Sequence, residues 1–434
     1  MQIIGGIFAI LNGNNMSLSK LREKINETDL SALYRDADIA RSRCNRLIDL
    51  YGGKFGDADE AMLLSAPGRS EICGNHTDHN GGSCIAAAID RDILAVAARR
   101  ADGIITVKSE GRGEDSFSIE DVHQRGHFPH FKSISLIAGV VRAFADRGYR
   151  VGGFNAYTTT EVLSGSGLSS SAAFEVMIGN ILNHLYNDGK IDNREIAEMA
   201  QYAENVYYGK PCGLLDQMAS AVGGFVYLNF GSEKPVVEPI SRTLDEFGYK
   251  LCIVAPGGSH SDLQEDYAAI PNEMRAVADR LGKRTLSGVT PEMLHAALPR
   301  LRGKLSDRAL LRAMHFVYEC ERVERMKEAL NIGDISSVLA IHRESGHSSF
   351  EYLQNVFTTK HADQGLSLAI AISDRFIYGK EASVRVHGGG FAGTIQALIP
   401  DSLADGYKST MDAVFGEGAT VVLKVRPLGA VRII

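Results

Sequence analysis

One segment constrains the fold of this chain more than any other, a glycine- and serine-rich run between a predicted strand and a predicted helix. Alternating residues predict the strand over 154–162, and apolar residues at helical spacing predict the helix over 172–186. Between them stand Gly165 and Gly167, which would let the backbone approach an anion with no Cβ in the way. The unpaired N–H groups of the helix N-terminus would hold the charge. The segment therefore predicts a phosphate-binding turn.

This turn matches neither of two common phosphate-binding patterns. No lysine follows Gly167 as in a P-loop, and Ser170 stands where the dinucleotide fingerprint needs its third glycine. Ser169, Ser170 and Ser171 add hydroxyls that can bind phosphate oxygens or a metal ion. The alternative is a serine-capped helix with a flexible lead-in. Three consecutive serines after Gly-Ser-Gly-Leu favour the anion site.

A second segment, residues 68–82, is dense in polar groups and follows a predicted strand, so we expect it to face a pocket. Arg69 would stabilise the charge of a transferring phosphoryl group. Carboxylate and amide oxygens accept hydrogen bonds from sugar hydroxyls. Three side chains suited to binding a polyol are Asn75, His76 and Asp78. His76, Asp78 and His79 could instead ligate a metal, which we rank lower because no second cluster completes the shell; a surface loop is the remaining alternative.

A third segment has three consecutive glycines, Gly388, Gly389 and Gly390, between strands predicted over 383–387 and 394–399. Consecutive glycines allow a backbone to pack closely against a ligand or another loop. A tight turn accounts for the same pattern equally well. This segment alone therefore carries little functional information.

A fourth segment, residues 207–217, places Asp216 in a loop just before an apolar stretch. A carboxylate in that position can act as a general base. It can equally serve as the N-cap of the following helix. The residues alone do not separate these two interpretations.

Composition limits the class of protein. The chain has 434 residues, of which 44% are hydrophobic and 23% charged, which excludes a disordered, fibrous or small disulfide-stapled protein. A net charge of −7 argues against nucleic acid as the main partner. The six cysteines form no C-x-x-C pair, as expected of free thiols in a reducing compartment. No apolar run approaches the roughly 20 residues that span a bilayer, so we expect a soluble, cytoplasmic protein.

The chain is expected to divide into an extension and two domains. Residues 1–15 are apolar and then asparagine-rich, and we expect translation to start at Met16. Residues 16–245 would form the N-terminal, sugar- and nucleotide-binding domain and residues 246–434 the C-terminal domain. Strands and helices mix without a strict βαβ rhythm, which favours the α+β class over a doubly wound sheet.

Three local predictions bear on the fold. The apolar run Ala61–Ser65 predicts a short strand that stops at Pro67-Gly68 and feeds a loop. Residues 84–99 predict a pair of strands, because an apolar run is followed by alternation. Residues 261–357 are helical by pattern, with no clear strand.

These four segments, in this order, resemble those of the GHMP kinases and, within them, the galactokinases. The galactokinase patterns are GRxNxIGEHTDYNxG, PxGxGLSSSAA, CGxMDQ and TGGGFGG. This chain has GRSEICGNHTDHNGG, LSGSGLSSSAA, CGLLDQ and HGGGFAG, and the resemblance runs from about residue 30 onward. It implies an N-terminal domain like domain 2 of ribosomal protein S5 and a ferredoxin-like C-terminal domain.

The resemblance also implies ATP-dependent phosphorylation of the C1 hydroxyl of galactose, with Mg²⁺. It implies Asp216 as the base, Arg69 as the group that assists the base and the phosphoryl group, and Ser171 with Glu204 as the Mg²⁺ ligands. Glu204 lies twelve residues before Asp216, as in the family. The nucleotide phosphates would contact Gly165, Ser166, Gly167, Leu168, Ser169, Ser170 and Ser171. The sugar would contact Asn75, His76, Thr77, Asp78, Gly213 and Tyr267. The supporting loop would be Gly388, Gly389 and Gly390.

The chain departs from the family pattern around the sugar. Asn75 replaces the glutamate that grips the sugar O6 hydroxyl, and the basic pair expected shortly after Tyr267 is absent. Three further departures are Glu71 for asparagine, His79 for tyrosine and His387 for threonine. The residues implied for the nucleotide and the base match the pattern, whereas the implied sugar pocket is altered.

The departures leave the substrate open. Loss of a carboxylate near C6 would relieve repulsion of a sugar that carries its own carboxylate, so a galacturonate 1-kinase is an alternative. An amide can also bind a neutral O6 hydroxyl, and galactose stays first. A non-catalytic sugar sensor is an alternative of another class, disfavoured because the implied catalytic and metal residues are present. The expected partners are a small-molecule sugar and MgATP, not nucleic acid or membrane, and the expected state is a monomer or weak homodimer.

Overall fold

The structure is a computed structural model that describes residues 16–162, 167–210, 212–258, 263–358, 360 and 362–434. The predictions for residues 1–15 lie outside the described residues. The strands are β1 Ala61–Cys73, β2 Ser83–Arg99, β3 Ile104–Ser109, β4 Glu114–Ser118, β5 Phe154–Thr160, β6 Phe225–Asn229, β7 Val236–Ile240, β8 Tyr249–Val254, β9 Ser383–His387, β10 Thr394–Pro400, β11 Thr420–Leu423 and β12 Val431–Arg432. The helices are α1 Leu18–Glu27, α2 Ala37–Phe55, α3 Ser133–Asp146, α4 Ser170–Tyr186, α5 Asn193–Tyr202, α6 Leu215–Val222, α7 Gln264–Arg280, α8 Pro291–Leu301, α9 Asp307–Ile332, α10 Ile335–Ser348, α11 Gly365–Ile377 and α12 Ala404–Phe415.

The larger sheet has eight strands among the described residues, in the order β12-β1-β2-β5-β3-β4, with β6 paired to β2 and β7 to β6. Successive residues of its strands face two different hydrophobic cores, one on each side of the sheet. Met62 and Leu64 of β1 pack in the core that contains α3 to α6, whereas Leu63 packs in the core beneath α1 and α2. Because both faces of the sheet are covered, β1 and β2 are apolar along most of their length.

The smaller sheet has four antiparallel strands in the order β11-β8-β10-β9. In chain order, β8, β9, β10 and β11 are strands 1 to 4 of a β-α-β-β-α-β unit. Their spatial order in the sheet is therefore 4-1-3-2, which is the ferredoxin-like arrangement. Helices α11 and α12 pack on one face of this sheet. The mixed α+β architecture predicted from the sequence is confirmed.

The last residues of the chain return to the larger sheet. Strand β12 pairs antiparallel with β1, with Leu64 opposite Arg432. Ile433 and Ile434 are buried in the core beneath α1 and α2. The division of the chain at residues 245/246 stays a prediction.

The predictions for the first two strands of the larger sheet were wrong. Strand β1 continues through Pro67 and Gly68 to Cys73, because a shift in its register against β2 absorbs the irregular residues. Gly68 is needed there because a Cβ would lie 2.8 Å from the Leu168 carbonyl oxygen. The expected strand pair over 84–99 is one strand of 17 residues.

The helical character predicted for residues 261–357 is confirmed over the described part of that range, which contains α7 to α10. Strands β3, β4, β7 and β12 were not predicted. None of the described helices combines the length and the apolarity that a membrane crossing requires.

Candidate active site

The glycine- and serine-rich turn lies against the bulge of β1. Gly165 and Ser166 lie outside the described residues, while Gly167 has φ +75° and Leu168 is buried in the core. The Leu168 carbonyl accepts a hydrogen bond of 3.1 Å from the Arg69 backbone N–H. Ser169, with φ 57° and ψ 65°, precedes α4, which begins at Ser170 and not at residue 172 as predicted. The unpaired N–H groups of α4 are therefore available at the end of the turn.

A cavity of about 590 Å³ opens at this helix end. The polar residues that line it near the turn are Ser169, Ser170, Ser171, Lys210 and Asp216. Aromatic side chains that line it include Phe131, Phe174 and Tyr208. The cavity thus combines a helix N-terminus and polar side chains with apolar walls, as small-molecule sites do.

Arg69 and Asp216 form an ion pair at the cavity. Arg69 Nε donates to Asp216 Oδ1 at 2.6 Å, while its Nη1 donates to the Gly167 carbonyl. The Ser169 hydroxyl donates to the other carboxylate oxygen, Oδ2. Burial alone would raise the pKa of Asp216, but Arg69 and Ser169 outweigh it, so the pKa lies below its ordinary value. Asp216 is therefore an ionised carboxylate held in a defined orientation.

Ser171 and Glu204 meet on the other side of the α4 N-terminus. The Ser171 hydroxyl donates to Glu204 Oε1 at 3.2 Å, and Lys210 Nζ lies 3.1 Å from that same oxygen. Glu204 Oε2 accepts from Gln217 Nε2 at 2.8 Å. Glu204 stands in a π-helical turn, residues 203–208, that follows α5.

A second carboxylate lies behind Glu204. Gln217 Nε2 also donates to Glu175 Oε2 at 3.1 Å, so one amide bridges both acids. Burial raises the pKa of Glu175 well above its ordinary value, and the nearby Glu204 raises it further. Glu175 is therefore harder to ionise than an ordinary carboxylic acid.

Asn75 and Thr77, both predicted as sugar contacts, are completely buried. Asn75 Nδ2 donates to the Gly388 carbonyl at 2.7 Å and to Glu71 Oε1 at 3.2 Å. Its Oδ1 accepts from Asn355 Nδ2 at 2.8 Å. The Thr77 hydroxyl lies 2.6 Å from the Ser83 carbonyl oxygen and 2.8 Å from that of Gly74. In this structure both side chains brace the loop that carries them.

The partly exposed residues of this loop are His76, Asp78 and His79. His76 Nδ1 lies 3.1 Å from His79 Nε2, and His76 Nε2 lies 3.0 Å from the Gly389 carbonyl. Burial lowers the pKa of His76 to about 4, and His79 adds to the effect. Asp78 lies beside Gly213, where a Cβ would be 3.0 Å from Asp78 Oδ2. Among the described residues, no three acidic, histidine or cysteine side chains form a metal-binding group.

The triple-glycine loop packs against this segment. Tyr267 Oη donates to the Gly390 carbonyl at 2.6 Å, and its ring stands edge-on to Phe391. A Cβ on Gly389 would lie 2.7 Å from Tyr267 Cε1, and one on Gly390 would lie 2.0 Å from the Asn355 carbonyl oxygen. Gly390 therefore permits a close approach to the backbone of Asn355, and Gly389 a close approach to the Tyr267 ring.

A buried ion pair connects the two sheets beneath the loop. Arg385 Nη2 lies 2.9 Å from Glu71 Oε1, and Arg385 Nη1 donates to the Ile72 carbonyl at 2.8 Å. Burial raises the pKa of Glu71, an effect that Arg385 partly offsets. His387 lies 3.0 Å from Ser70 Oγ and 2.9 Å from Thr394 Oγ1, and burial lowers its pKa to about 3.

Five residues of this arrangement were not predicted from the sequence. They are Glu175, Lys210, Gln217, Asn355 and Arg385. Lys210 and Gln217 lie inside the fourth segment, so their polarity beside Asp216 was a usable signal. Asn355 and Arg385 lie outside every segment that was singled out, and only the packing of distant elements brings them to the site.

Comparisons with known proteins identify the family of this chain. Residues 135–224 match the family described as "GHMP kinases N terminal domain", and residues 49–99 match the "Galactokinase galactose-binding signature". The chain is 30% identical over 380 residues to a galactokinase of Streptomyces coelicolor, covering 87% of this chain and 93% of that protein. It is 32% identical over 350 residues to a galactokinase of Glaesserella parasuis, covering 80% and 87% respectively.

Solved structures share the fold. The crystal structure of Lactococcus lactis galactokinase complexed with galactose matches with a TM-score of 0.74 at 23% identity, covering 88% of this chain and 98% of that chain. A crystal structure of mevalonate kinase matches with a TM-score of 0.58 at 14% identity, covering 86% and 99%. The two-domain GHMP kinase fold implied by the motifs is confirmed.

Proposed function

Because this chain belongs to the galactokinase family of the GHMP kinases and is a sugar kinase, we propose that it transfers the γ-phosphoryl group of ATP to the C1 hydroxyl of galactose. The observation that carries the proposal is the Arg69–Asp216 pair, 2.6 Å apart, at the end of the glycine- and serine-rich turn. The carboxylate of Asp216 lines the cavity at the N-terminus of α4, and the cation that pairs with it is Arg69.

In the proposed reaction Asp216 is the general base. It accepts the proton of the C1 hydroxyl as the C1 oxygen bonds to the γ-phosphorus and the bond to the β–γ bridging oxygen breaks, releasing ADP. Its lowered pKa makes Asp216 a weak base that is always ionised at neutral pH. Phosphoryl transfer needs positioning and charge neutralisation more than a strong base, so this pKa suits the reaction.

The negative charge of the phosphates would be met by local groups, since the whole chain carries −7. The N-terminus of α4 and the hydroxyls of Ser169 and Ser170 would bind phosphate oxygens. Arg69 would face the transferring group while its bond to the Gly167 carbonyl holds the turn against β1. These groups come from β1 and from the turn that opens α4, so the fold brings them together.

Ser171 and Glu204 fit a magnesium ion. Their oxygens, Ser171 Oγ and Glu204 Oε1, lie 3.2 Å apart, and Glu204 is nearly buried, so an ionised carboxylate there needs a cationic partner. Oxygen ligands are those that Mg²⁺ prefers. When bound with ATP, Mg²⁺ would neutralise phosphate charge at this end of the cavity. Gln217 would hold Glu204 in the orientation that this role requires.

The substrate is proposed as galactose, with galacturonate as the second candidate. The observation behind the second candidate is Asn75, which puts a neutral amide where the family pattern has glutamate. Asn75 is buried and bonded to Gly388 and Asn355, so it would act on the sugar by shaping the loop that carries His76 and Asp78. A loop without that carboxylate would repel an acidic sugar less.

A panel of sugars tests this proposal. ADP release with MgATP is measured for galactose, galacturonate, N-acetylgalactosamine and arabinose. We expect galactose to give the highest kcat/KM. A preference for galacturonate would reassign the substrate, and binding of a sugar without ADP release would support a sensor and contradict the kinase proposal.

A further inference from the structure

We propose that Lys210 is a phosphate-binding residue of the ATP site, held by Glu204 until a nucleotide enters. The proposal rests on the proposed function, because it takes the cavity at the α4 N-terminus as the ATP site. Lys210 lines that cavity together with Ser169, Ser170 and Asp216. Its ammonium is thus a cation on the same wall as the groups that would bind phosphate.

The backbone directs Lys210 to this position. The π-helical turn that contains Glu204 ends with the backbone N–H groups of Gly209 and Lys210 both donating to the Glu204 carbonyl, at 3.0 and 3.1 Å. The side chain then returns to the same residue, with Nζ 3.1 Å from Glu204 Oε1. A lysine at this position is therefore anchored at its backbone beside the carboxylate that it neutralises.

The two members of this pair differ in their freedom to move. The Lys210 side chain is 57% exposed, whereas that of Glu204 is 3% exposed. Glu204 is also held by Ser171 and Gln217, so it is fixed, while within the described residues only the contact with Glu204 holds the lysine ammonium in place. Lysine has a long, flexible stem and three donors, so it can change partner without movement of the backbone.

Charge decides which partner Lys210 takes. Glu204 Oε1 is one of the two oxygens proposed for Mg²⁺, so Lys210 and the metal compete for it. A nucleotide brings several negative charges into the cavity, and ammonium–phosphate hydrogen bonds are among the strong ones. Lys210 would exchange the carboxylate for a phosphate oxygen, leaving Glu204 Oε1 to the metal.

The alternative is that Lys210 only neutralises the buried carboxylate of Glu204. The two roles differ in metal-free nucleotide binding, which requires neither sugar nor turnover. Isothermal titration with ATP in excess EDTA is compared for the unmodified chain, Lys210→Met and Lys210→Arg. The matched control is Lys190→Met, which removes an exposed lysine beyond the far end of α4, paired with Asp188 at 3.3 Å.

We expect Lys210→Met to weaken metal-free ATP binding by about tenfold, the loss of one charge-assisted contact. Lys210→Arg should stay within about threefold of the parent, since it keeps the charge, and Lys190→Met should not change the affinity. ATP affinity of Lys210→Met equal to that of the parent, with the thermal midpoint also unchanged, would overturn the proposal.

A second variant keeps the test valid if Lys210→Met folds poorly. Glu204→Gln releases the lysine from its carboxylate and leaves no buried charge unpaired when Lys210 is also replaced, so metal-free ATP should bind more tightly to Glu204→Gln than to the Glu204→Gln/Lys210→Met double variant. Equal ATP affinities of these two variants would refute a role for Lys210. Failure of the sugar-kinase proposal would show separately, as absence of sugar phosphorylation by the unmodified chain.

Discussion

Arg69 Nε and Asp216 Oδ1 lie 2.6 Å apart, in an ion pair that joins the bulge of β1 to the first turn of α6. The bulge is stabilised by the contact between Gly68 and Leu168, so the glycine- and serine-rich turn and the arginine are positioned together. The proposed base, the proposed phosphoryl-binding cation and the anion-binding turn thus depend on one local geometry. The following predictions test the parts of this geometry separately.

Asp216→Asn is expected to lower kcat by about two to four orders of magnitude, the range contributed by a positioned acid or base. An amide cannot accept the proton of the sugar hydroxyl, yet it occupies the same volume. Nucleotide affinity should change little, because the phosphate-binding groups remain. Steady-state kinetics and nucleotide titration measure the two quantities, and near-normal kcat would remove Asp216 from the mechanism.

Arg69→Met is expected to move the acidic limb of the pH–kcat profile toward higher pH. The cation lowers the pKa of Asp216, so its removal raises that pKa, and the base becomes protonated at a higher pH. In the parent enzyme the limb should lie below the ordinary aspartate range near 4. The profile is measured from pH 2.5 to 8; a limb at the same pH in both proteins would contradict the assigned cause.

Ser171→Ala is expected to raise the Mg²⁺ concentration needed for half-maximal activity, by about tenfold, because one of two proposed oxygen ligands is lost. The affinity for metal-free ATP, measured by calorimetry in EDTA, should change much less. The exposed Ser232→Ala provides the control. A Mg²⁺ requirement identical to that of the parent would exclude Ser171 as a ligand.

The galactokinase pattern has asparagine at position 71 and glutamate at position 75, whereas this chain has Glu71 and Asn75. Asn75 Nδ2 donates to Glu71 Oε1 at 3.2 Å. Glu71→Asn would leave Arg385 buried without its carboxylate, at a cost of about 3–5 kcal/mol. Asn75→Glu would place two carboxylates together. The double variant restores one carboxylate and one amide, so the losses should be non-additive by about 1–3 kcal/mol.

Urea unfolding of the four proteins measures this coupling. Glu110→Gln, which removes the partner of the exposed Arg46, serves as the control and should cost less than about 1 kcal/mol. Strictly additive losses in the double variant would mean that Glu71 and Asn75 act independently.

The sequence could predict the elements that local pattern determines. Helix α4 begins two residues before its predicted start, because Ser170 and Ser171 already adopt helical conformation after Ser169. The α+β class and the helical stretch after β8 followed from periodicity alone. The turn before α4 was recognisable because glycines and serines between a strand and a helix allow the close backbone approach that an anion requires.

The rest depends on contacts between distant residues. Pro67-Gly68 is a strong signal for a strand end. Strand β1 nevertheless continues, because it stays paired with β2 across a shift in register and Gly68 packs against Leu168. Asn75 was expected to face the sugar, but Asn355 and Gly388, which bury it, lie about 280 and 313 residues along the chain. Lys210 meets Glu204 because the chain makes a π-helical turn at residues 203–208, which no pattern in the sequence indicates.

Phosphorylation of the C1 hydroxyl of galactose is tested by identifying the product. Galactose and MgATP are incubated with the protein, and the product is analysed by phosphorus and proton NMR, with Asp216→Asn as the control. We expect a phosphate coupled to the C1 proton of galactose, formed with one ADP per sugar. This product should not form with Asp216→Asn. Phosphate on another hydroxyl, or ATP hydrolysis without a sugar phosphate, would contradict it.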